Sequence, residues 1–275
     1  MIYSLDRITK HYPAAGGATR ALDDLSLGVS PGERLALIGR SGAGKTTLFR
    51  LLNGMLRPTS GTLHFDGRNV GAMSGRELRA MRRRIGMVYQ QHHLVPSLSA
   101  LDNTLCGRLG YWSVWRTLRA ALKPSRAETE WALHTLEAVG LADKRAARAD
   151  ELSGGQQQRL AIARALMQDP EVILADEPVA SLDPGLAESI ATLLVKLADE
   201  RRPQRTLIVT LHTVELALRH FPRVVGVNAG RIAFDVPVAE VSRDALDILY
   251  AGSEAQTKEG QPLHAEPWRE PQCAR

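Results

Sequence analysis

The stretch Gly39-Arg40-Ser41-Gly42-Ala43-Gly44-Lys45-Thr46 decides how the rest of the sequence is interpreted. It matches G-x-x-x-x-G-K-[ST], the pattern of a loop that binds phosphate groups. Its glycines let successive backbone N–H groups turn inward around phosphate oxygens, and a helix starting here points its positive end at them. Lys45 adds a positive charge for the β- and γ-phosphates, and Thr46 offers a hydroxyl to Mg²⁺. An ordinary Gly-rich turn is the alternative, but the strand-like run before the loop and the helical spacing after it favour a nucleotide site.

Strand-like and helix-like patterns alternate on both sides of this loop. Helical spacing covers 46–56, and short apolar runs typical of buried strands occur at 35–38, 62–65, 85–89, 172–175, 207–210 and 224–227. From about 94 to 167 the strand-like runs vanish and helical spacing dominates. We therefore predict one α/β domain over 1–251, with an all-helical insertion at about 94–167. Residues 252–275 contain few apolar side chains, which predicts a mobile tail.

Composition excludes a disordered chain and disfavours a membrane-spanning one. The 275 residues are 44% hydrophobic and 24% charged, with a formal net charge of +5. No uncharged apolar run approaches the roughly 18 residues that a spanning helix needs. Charged residues near the N-terminus disfavour a signal peptide, and the two cysteines form no metal or disulfide pattern. The clustered basic residues are Arg79, Arg82, Arg83 and Arg84, for which a solvated helix face is favoured over a binding patch.

Two successive carboxylates, Asp176 and Glu177, follow the apolar run 172–175. With a phosphate loop elsewhere in the chain, Asp176 is predicted to support Mg²⁺ and Glu177 to orient or deprotonate the attacking water. Adjacent strand residues point to opposite faces, so the chain must bend at the strand end for both to reach one pocket. On its own this pattern is weak, because apolar strands often end in Asp or Glu.

A third element, Leu152-Ser153-Gly154-Gly155-Gln156, precedes an Ala-rich helical stretch. Ser153 suits a helix N-cap, and the glycines allow close approach of the backbone to an anion. A generic helix start is the alternative on physical grounds alone. Taken in order, the phosphate loop, this L-S-G-G-Q segment and the Asp-Glu strand end resemble the ATP-binding subunits of ABC transporters over about 2–250.

That resemblance implies a fold and a set of roles. The fold is an α/β P-loop NTPase (RecA-like) ABC ATPase core with an inserted all-helical subdomain. In the implied catalysis Glu177 is the general base, His212 clamps the γ-phosphate, and Gln90 senses Mg²⁺ and water. Thr46, Gln90 and Asp176 are the implied Mg²⁺ ligands. The implied ATP-binding residues are Tyr12, Gly39, Arg40, Ser41, Gly42, Ala43, Gly44, Lys45, Thr46, Thr47, Ser153, Gly154, Gly155, Gln156 and Asp183.

Each of the scattered residues in this set also has a plain structural interpretation. Gln90 and Asp183 could be turn residues, His212 a helix cap, and Tyr12, which the resemblance stacks on adenine, a core side chain. Their joint order and spacing favour the functional interpretation.

The resemblance also implies partners and a location. Two copies are expected to pack head to tail, with Ser153 and Gly155 of one copy capping the γ-phosphate held by Lys45 of the other. Asp183 would couple the two sites. Further expected partners are integral membrane permease subunits and, indirectly, a periplasmic solute-binding protein, with no nucleic acid. The expected location is the cytoplasmic face of the bacterial inner membrane.

Features downstream of Gln90 resemble the ATP-binding subunits of phosphonate importers in particular. These features are Gln90-Gln91, Asn103-Thr104-Leu105, Gly107-Arg108-Leu109-Gly110 and an aromatic insertion at 111–116. The sequence departs from that pattern at His92-His93, Pro96 and Thr213. The implied activity is ATP-driven uptake of phosphonate, phosphite or hypophosphite.

Other functions remain open at this point. They are an importer ATPase for another solute, a soluble ABC ATPase acting on nucleic acid or the ribosome, and a regulatory subunit without turnover. The lack of zinc cysteines and of a long heptad insertion disfavours the second function. Glu177 and His212 disfavour the third.

We expect 92–115 to meet the permease, because this segment follows Gln90 and is rich in aromatic residues. The alternative is that Trp112 and Trp115 pack within the helical insertion.

Overall fold

The computed structural model of this chain describes residues 1–14, 17–112, 115, 124–200 and 205–250. Within them the strands are β1 (Tyr3–Ala14), β2 (Gly17–Val29), β3 (Arg34–Ile38), β4 (Ser60–Phe65), β5 (Arg68–Asn69), β6 (Ile85–Val88), β7 (Val172–Asp176), β8 (Thr206–Leu211), β9 (Arg223–Asn228) and β10 (Arg231–Pro237). The helices are α1 (Lys45–Leu52), α2 (Gly75–Arg83), α3 (Ala100–Leu105), α4 (Arg126–Ala138), α5 (Gly154–Leu166), α6 (Pro184–Glu200), α7 (Val214–His220) and α8 (Arg243–Tyr250). The predicted tail at 252–275 lies outside the described residues.

A six-stranded sheet forms the centre of the molecule, in the order β10-β9-β3-β8-β7-β6. All neighbouring strands are parallel except β10, which is antiparallel to β9. Parallel strands covered on both faces are expected to contain continuous apolar runs, as β3 does at 35–38, β7 at 172–175 and β8 at 207–209. The apolar runs that predicted strands at 35–38, 172–175, 207–210 and 224–227 all lie in this sheet. The predicted α/β class is therefore confirmed.

Successive residues of the central strands feed two different hydrophobic cores. On β3, Leu35 and Leu37 face one core while Ala36 and Ile38 face the other, as the period of two requires. The first core is covered by α1 and by a separate antiparallel sheet of order β2-β1-β4-β5. The second is covered by α5, α6, α7 and α8. The carboxyl ends of these strands consequently lie between the two layers that cover the sheet.

The antiparallel sheet was only partly predicted from the sequence. Strand β1 pairs with both β2 and β4 and carries register shifts, so its apolar residues do not alternate regularly. The Tyr3 hydroxyl of β1 donates to the Leu52 carbonyl at 3.1 Å, which fixes this sheet to the end of α1. Helix α1 ends there rather than at residue 56, because Gly54 has a left-handed backbone (φ 65°) that stops it.

The described part of 94–167 contains helices and no named strand, apart from one isolated bridge between Ser99 and Arg148. Two of its helices begin with reciprocal capping boxes, Ser125 with Glu128 on α4 and Ser153 with Gln156 on α5. No helix in the described ranges is long and apolar enough to cross a membrane.

Three arginines of the cluster make contacts within the fold, although Arg79 and Arg82 stay exposed, as expected of a solvated face. The guanidinium of Arg82 donates to the carbonyls of Asn53 and Gly54 at 3.2 and 2.7 Å. Arg83 donates to the Gly110 carbonyl, and Arg84 binds carboxylates of the neighbouring loops. These arginines therefore hold the two sheets and the helical insertion together.

The aromatic segment also divides into two kinds of side chain. The Tyr111 hydroxyl lies 2.8 Å from the Arg83 carbonyl, and the guanidiniums of Arg83 and Arg108 contact its ring at 5.2 and 4.3 Å from the centroid. Trp115, by contrast, is 82% exposed. Tyr111 therefore packs within the fold, whereas Trp115, which the alternative interpretation placed inside the helical insertion, projects outward.

We predict that Tyr111→Asp lowers the free energy of unfolding by about 2–4 kcal/mol, because the ring and hydroxyl contacts are both lost. Trp115→Asp is the matched control and is expected to change stability by no more than about 0.5 kcal/mol. Urea denaturation of the purified variants measures both. Equal stability of the two variants would show that Tyr111 is not a packing residue.

Candidate nucleotide site

The phosphate loop joins β3 to α1 and is fixed on two sides. Gly44, with φ of 105°, caps α1, and a Cβ at this position would lie 2.5 Å from the Ala21 carbonyl oxygen of β2. On the other side the Gly230 N–H donates to the Ala43 carbonyl at 3.0 Å. Only glycine fits at position 44, so β2 and the turn between β9 and β10 together determine the path of the loop.

Lys45 is the first residue of α1 and is 3% exposed. Its ammonium donates to the carbonyls of Gly39 and Arg40 at 2.7 and 3.0 Å and lies 3.8 Å from a Glu177 carboxylate oxygen. Burial lowers the pKa of Lys45, and the charges of Glu177 and Asp176 oppose that shift. The loop carbonyls and the carboxylates thus hold the amine over the loop.

At the end of β7, one residue that the sequence motifs did not predict connects Asp176 and Glu177. Thr210 of β8 is fully buried; its hydroxyl donates to an Asp176 carboxylate oxygen at 2.8 Å and accepts the Glu177 N–H at 2.7 Å. Glu177 has a left-handed backbone (φ 49°), which turns the chain at the strand end. The available signal was a threonine at the end of an otherwise apolar strand, two residues before His212.

The remaining predicted catalytic residues lie on neighbouring strand ends. His212 follows β8, and its Nε2 lies 2.6 Å from Glu177 Oε1. Gln90 follows β6 and is exposed; because Val88 pairs with Ala175 in parallel register, Gln90 and Glu177 each lie two residues beyond this pair. Carboxyl ends of adjacent parallel strands are the usual position of ligand sites in α/β folds.

The residues predicted from the sequence to bind Mg²⁺ have side chains that suit this ion. Asp176 is 6% exposed, and Thr46 and Thr210 both hydrogen-bond to its carboxylate. Burial raises the pKa of Asp176, and those hydrogen bonds oppose the shift. Hydroxyl, carboxylate and amide oxygens are the ligands that Mg²⁺ takes, so Thr46, Asp176 and Gln90 form a fitting donor set.

The L-S-G-G-Q segment lies at the start of α5. The Ser153 hydroxyl accepts the Gln156 N–H, and a Cβ on Gly154 would meet no described atom within 4 Å apart from its chain neighbours and the backbone of its own helix. A Cβ on Gly155 would instead lie 2.3 Å from Leu186, and the Asp183 carboxylate caps α6 by accepting the Leu186 N–H at 3.0 Å. In the described ranges, neither Ser153 nor Asp183 has a hydrogen bond or ion pair to the phosphate loop.

Tyr12 lies near the outer end of the β1–β2 hairpin, opposite Thr19. From there β2 runs to Ala21, whose carbonyl faces Gly44, so the half-buried tyrosine is close in register to the phosphate loop. The Lys10 ammonium lies 5.7 Å from its ring centroid.

A phosphate loop after β3, a buried Asp-Glu strand end and a lysine between them define a P-loop nucleotide-binding protein. The family described as "ABC transporter" matches residues 22–180. This chain belongs to the ABC transporter family, which confirms the resemblance drawn from the motifs.

Curated relatives extend over most of the chain. It is 47% identical over 244 residues to "Phosphonates import ATP-binding protein PhnC 2" of Pseudomonas aeruginosa, covering 88% of this chain and 90% of the relative. It is 42% identical to "Phosphonates import ATP-binding protein PhnC 1" of Ruegeria sp., covering 92% and 96%.

A solved structure entitled "Dimeric Structure of MJ0796, a Bacterial ABC Transporter Cassette" matches with a TM-score of 0.75 and 32% identity, covering 86% of this chain and 98% of that one. A second, of the same cassette bound to ADP and Pi in a post-hydrolysis state, matches with a TM-score of 0.73 and 30% identity over the same shares. The predicted ABC ATPase fold is therefore confirmed.

We predict that Thr210→Val lowers ATP turnover about 10- to 100-fold, because both Asp176 and the Glu177 N–H lose a buried hydrogen-bond partner. Thr210→Ser keeps the hydroxyl and should retain most of the activity. Steady-state ATPase assays compare the two, with thermal unfolding as the check on folding. If the valine variant were as active as the serine variant, the bridging hydroxyl would have no part in the site.

Proposed function

We propose that this protein is the ATP-hydrolysing subunit of an importer that takes up phosphonate, phosphite or hypophosphite from the bacterial periplasm. The cluster of Lys45, Asp176, Glu177 and His212 at the carboxyl ends of β3, β7 and β8 is the observation that carries the ATPase assignment. The named phosphonate importer subunits at 42–47% identity support the solute class.

The chemistry follows from the positions of the side chains. Water attacks the γ-phosphorus, the Glu177 carboxylate accepts the proton that the water loses, and ADP departs with the electrons of the broken P–O bond. Lys45 and the loop N–H groups bind the phosphate oxygens, and His212 orients Glu177 and reaches the γ-phosphate. Mg²⁺ held by Thr46, Asp176 and Gln90 would neutralise the developing charge. No covalent intermediate is needed, because positioning and charge stabilisation suffice.

We predict that Glu177→Gln keeps ATP binding but lowers turnover roughly 10²–10⁴-fold, since the general base is lost. It should also trap an ATP-bound dimer that elutes early in size-exclusion chromatography. Glu188→Gln is the matched control, because Glu188 also lies 2.8 Å from a histidine, His220, but outside the site. Near-normal turnover in the Glu177 variant would remove this residue from the mechanism.

A head-to-tail dimer is proposed because one chain carries two half-sites. Ser153 and Gly154 lie at an open helix start, and within the described part of the chain no hydrogen bond joins them to its own phosphate loop. An N-cap serine with free N–H groups behind it is suited to a γ-phosphate presented by a second copy. The related cassette described as dimeric supports this arrangement.

Complementation between variants tests that dimer. Lys45→Ala and Ser153→Arg should each abolish activity, because each damages both sites of a homodimer. In a mixed dimer one site carries both defects and the other none, so mixing the two variants should restore ATPase activity. No recovery in a sample shown to contain heterodimers would contradict the head-to-tail arrangement.

A surface groove of about 530 Å³ is our proposed docking site for the permease. It lies between α2, the segment after β6 and the end of α5. Among the described residues, the groove is lined by no carboxylate but by Arg79, Arg82, Arg83 and Arg164, together with exposed apolar residues such as Val95 and Leu109. The charge and the apolar surface together fit a short cytoplasmic permease segment that carries an apolar face and an acidic side chain.

Leu94 and Tyr111, which lie in the segment 92–115 expected to contact the permease, pack into the fold instead.

Growth on different phosphorus sources tests both the function and the groove. Deleting the gene should abolish growth of the source organism on phosphonate, phosphite or hypophosphite as sole phosphorus source, and growth on phosphate should be unaffected. The wild-type gene should restore growth and Leu109→Asp should not, although its basal ATPase activity stays normal. Ile248→Asp, at an exposed apolar residue of α8 outside the groove, is the matched control.

The contrary outcomes are equally specific. Unchanged growth of the deletion strain on all three phosphorus sources would point to an importer ATPase for another solute. Full function of Leu109→Asp would place the permease elsewhere on the surface.

A further inference from the structure

Arg164, near the carboxyl end of α5, binds the chain segment that carries Gln90. Its guanidinium donates to the His92 carbonyl at 2.7 Å and also to the His93 carbonyl. These carbonyls follow directly on Gln90 and Gln91 in the chain. One side chain of the helical insertion therefore contacts the backbone of this segment twice.

The same segment has an unusual backbone and further contacts with α5. His93 has a left-handed φ of 49°, and its ring packs edge-on against Tyr89 with centroids 4.8 Å apart. The His92 ring hydrogen-bonds with Gln157 and Gln158 of α5, and burial lowers the pKa of His92 despite those bonds. Gln157 in turn donates to the carbonyls of Ala149 and Leu152, just before the L-S-G-G-Q segment. A non-glycine residue keeps a left-handed conformation only where its surroundings hold it.

Helix α5 thus links two regions of the surface, because residues at its two ends contact different parts of the molecule. Ser153 caps its amino end, and Arg164 lies eleven residues later, about 16 Å along the axis at 1.5 Å per residue. Arg164 also lines the proposed permease groove. A displacement of α5, or of a groove occupant that binds the guanidinium, would therefore shift the backbone that follows Gln90.

We propose that Arg164 is a positioning residue that sets the placement of Gln90 at the nucleotide site through the His92 and His93 carbonyls. The inference rests on the proposed ATPase function. The planar fork of arginine places two donors on two acceptors at once, whereas the single ammonium of lysine is a point charge that does not reproduce this geometry. Arg164→Lys consequently keeps the charge and removes the double contact.

The experiment compares Arg164→Lys with Arg159→Lys in the purified full-length protein. Arg159 is the matched control, because it lies on the same helix and also makes two hydrogen bonds, to the Val139 carbonyl and the Ser189 hydroxyl, away from the Gln90 segment. We expect Arg164→Lys to lower kcat for ATP about tenfold with KM changed less than twofold, the loss expected from one charged hydrogen bond. Arg159→Lys should leave kcat unchanged.

Two further readouts separate positioning from mere stability. In a Gln90→Ala background Arg164→Lys should have no additional effect on kcat, because it acts through Gln90. Amide hydrogen exchange of 89–93 should be faster in Arg164→Lys and unaltered in Arg159→Lys, a measurement that needs no ATPase activity.

Several results would overturn the proposal that Arg164 positions Gln90. A kcat of Arg164→Lys within twofold of wild type, an equal loss in Arg159→Lys, or full additivity with Gln90→Ala would each overturn the proposal. Unchanged exchange at 89–93 would overturn it as well. A wild-type protein that binds ATP without hydrolysing it would instead overturn the proposed function, while the exchange measurement would still decide whether Arg164 holds the segment.

Discussion

Burial of the Lys45 ammonium is the constraint on which the rest of the site depends. A charged amine at 3% exposure is tolerated only where hydrogen bonds and opposite charge replace the lost water. Here the carbonyls of Gly39 and Arg40 supply the hydrogen bonds, and Glu177 and Asp176 supply the charge. These groups come from the ends of β3 and β7, which the sheet order separates by β8 alone. The phosphate loop and the carboxylates are consequently one electrostatic unit.

The strand between them provides the link that makes this unit possible. Consecutive strand residues face opposite sides, so Asp176 and Glu177 would diverge if β7 simply continued. The left-handed turn at Glu177 redirects the chain, and the Thr210 hydroxyl satisfies both the Asp176 carboxylate and the Glu177 N–H. A strained backbone at a functional site is held by such surrounding contacts. One hydroxyl on β8 thus fixes the relative positions of the predicted metal ligand and the predicted base.

The sequence was most informative where local chemistry demands particular residues. The phosphate loop, the acidic strand end and the central strands could be located because glycine, lysine and uninterrupted apolar runs leave few alternatives. Three-dimensional pairings were out of reach: Thr210 acts through its hydrogen bonds to the end of β7, Tyr111 packs against Arg83 and Arg108, and the shifted register of β1 hides its alternation. Long arginine side chains show the same limit, because their charge suggests a solvated surface whereas Arg82 reaches backbone carbonyls in the fold.

The position of Gln90 illustrates how a fold can make a site sensitive to a distant contact. Asp176 and Glu177 are held by a buried hydroxyl of the central sheet and therefore move only with that sheet. Gln90 occupies the position beyond β6 that corresponds in register to Glu177, but the residues that follow it are contacted by α5 of the helical insertion. A rotation of that insertion against the sheet would leave the buried carboxylates in place and would shift the segment after Gln90. Since α5 also carries Ser153 at its amino end, the same rotation would move the surface that the proposed dimer presents to a second copy. In the proposed arrangement, one helix would thus couple the nucleotide, the second copy and the groove occupant without any change in the central sheet.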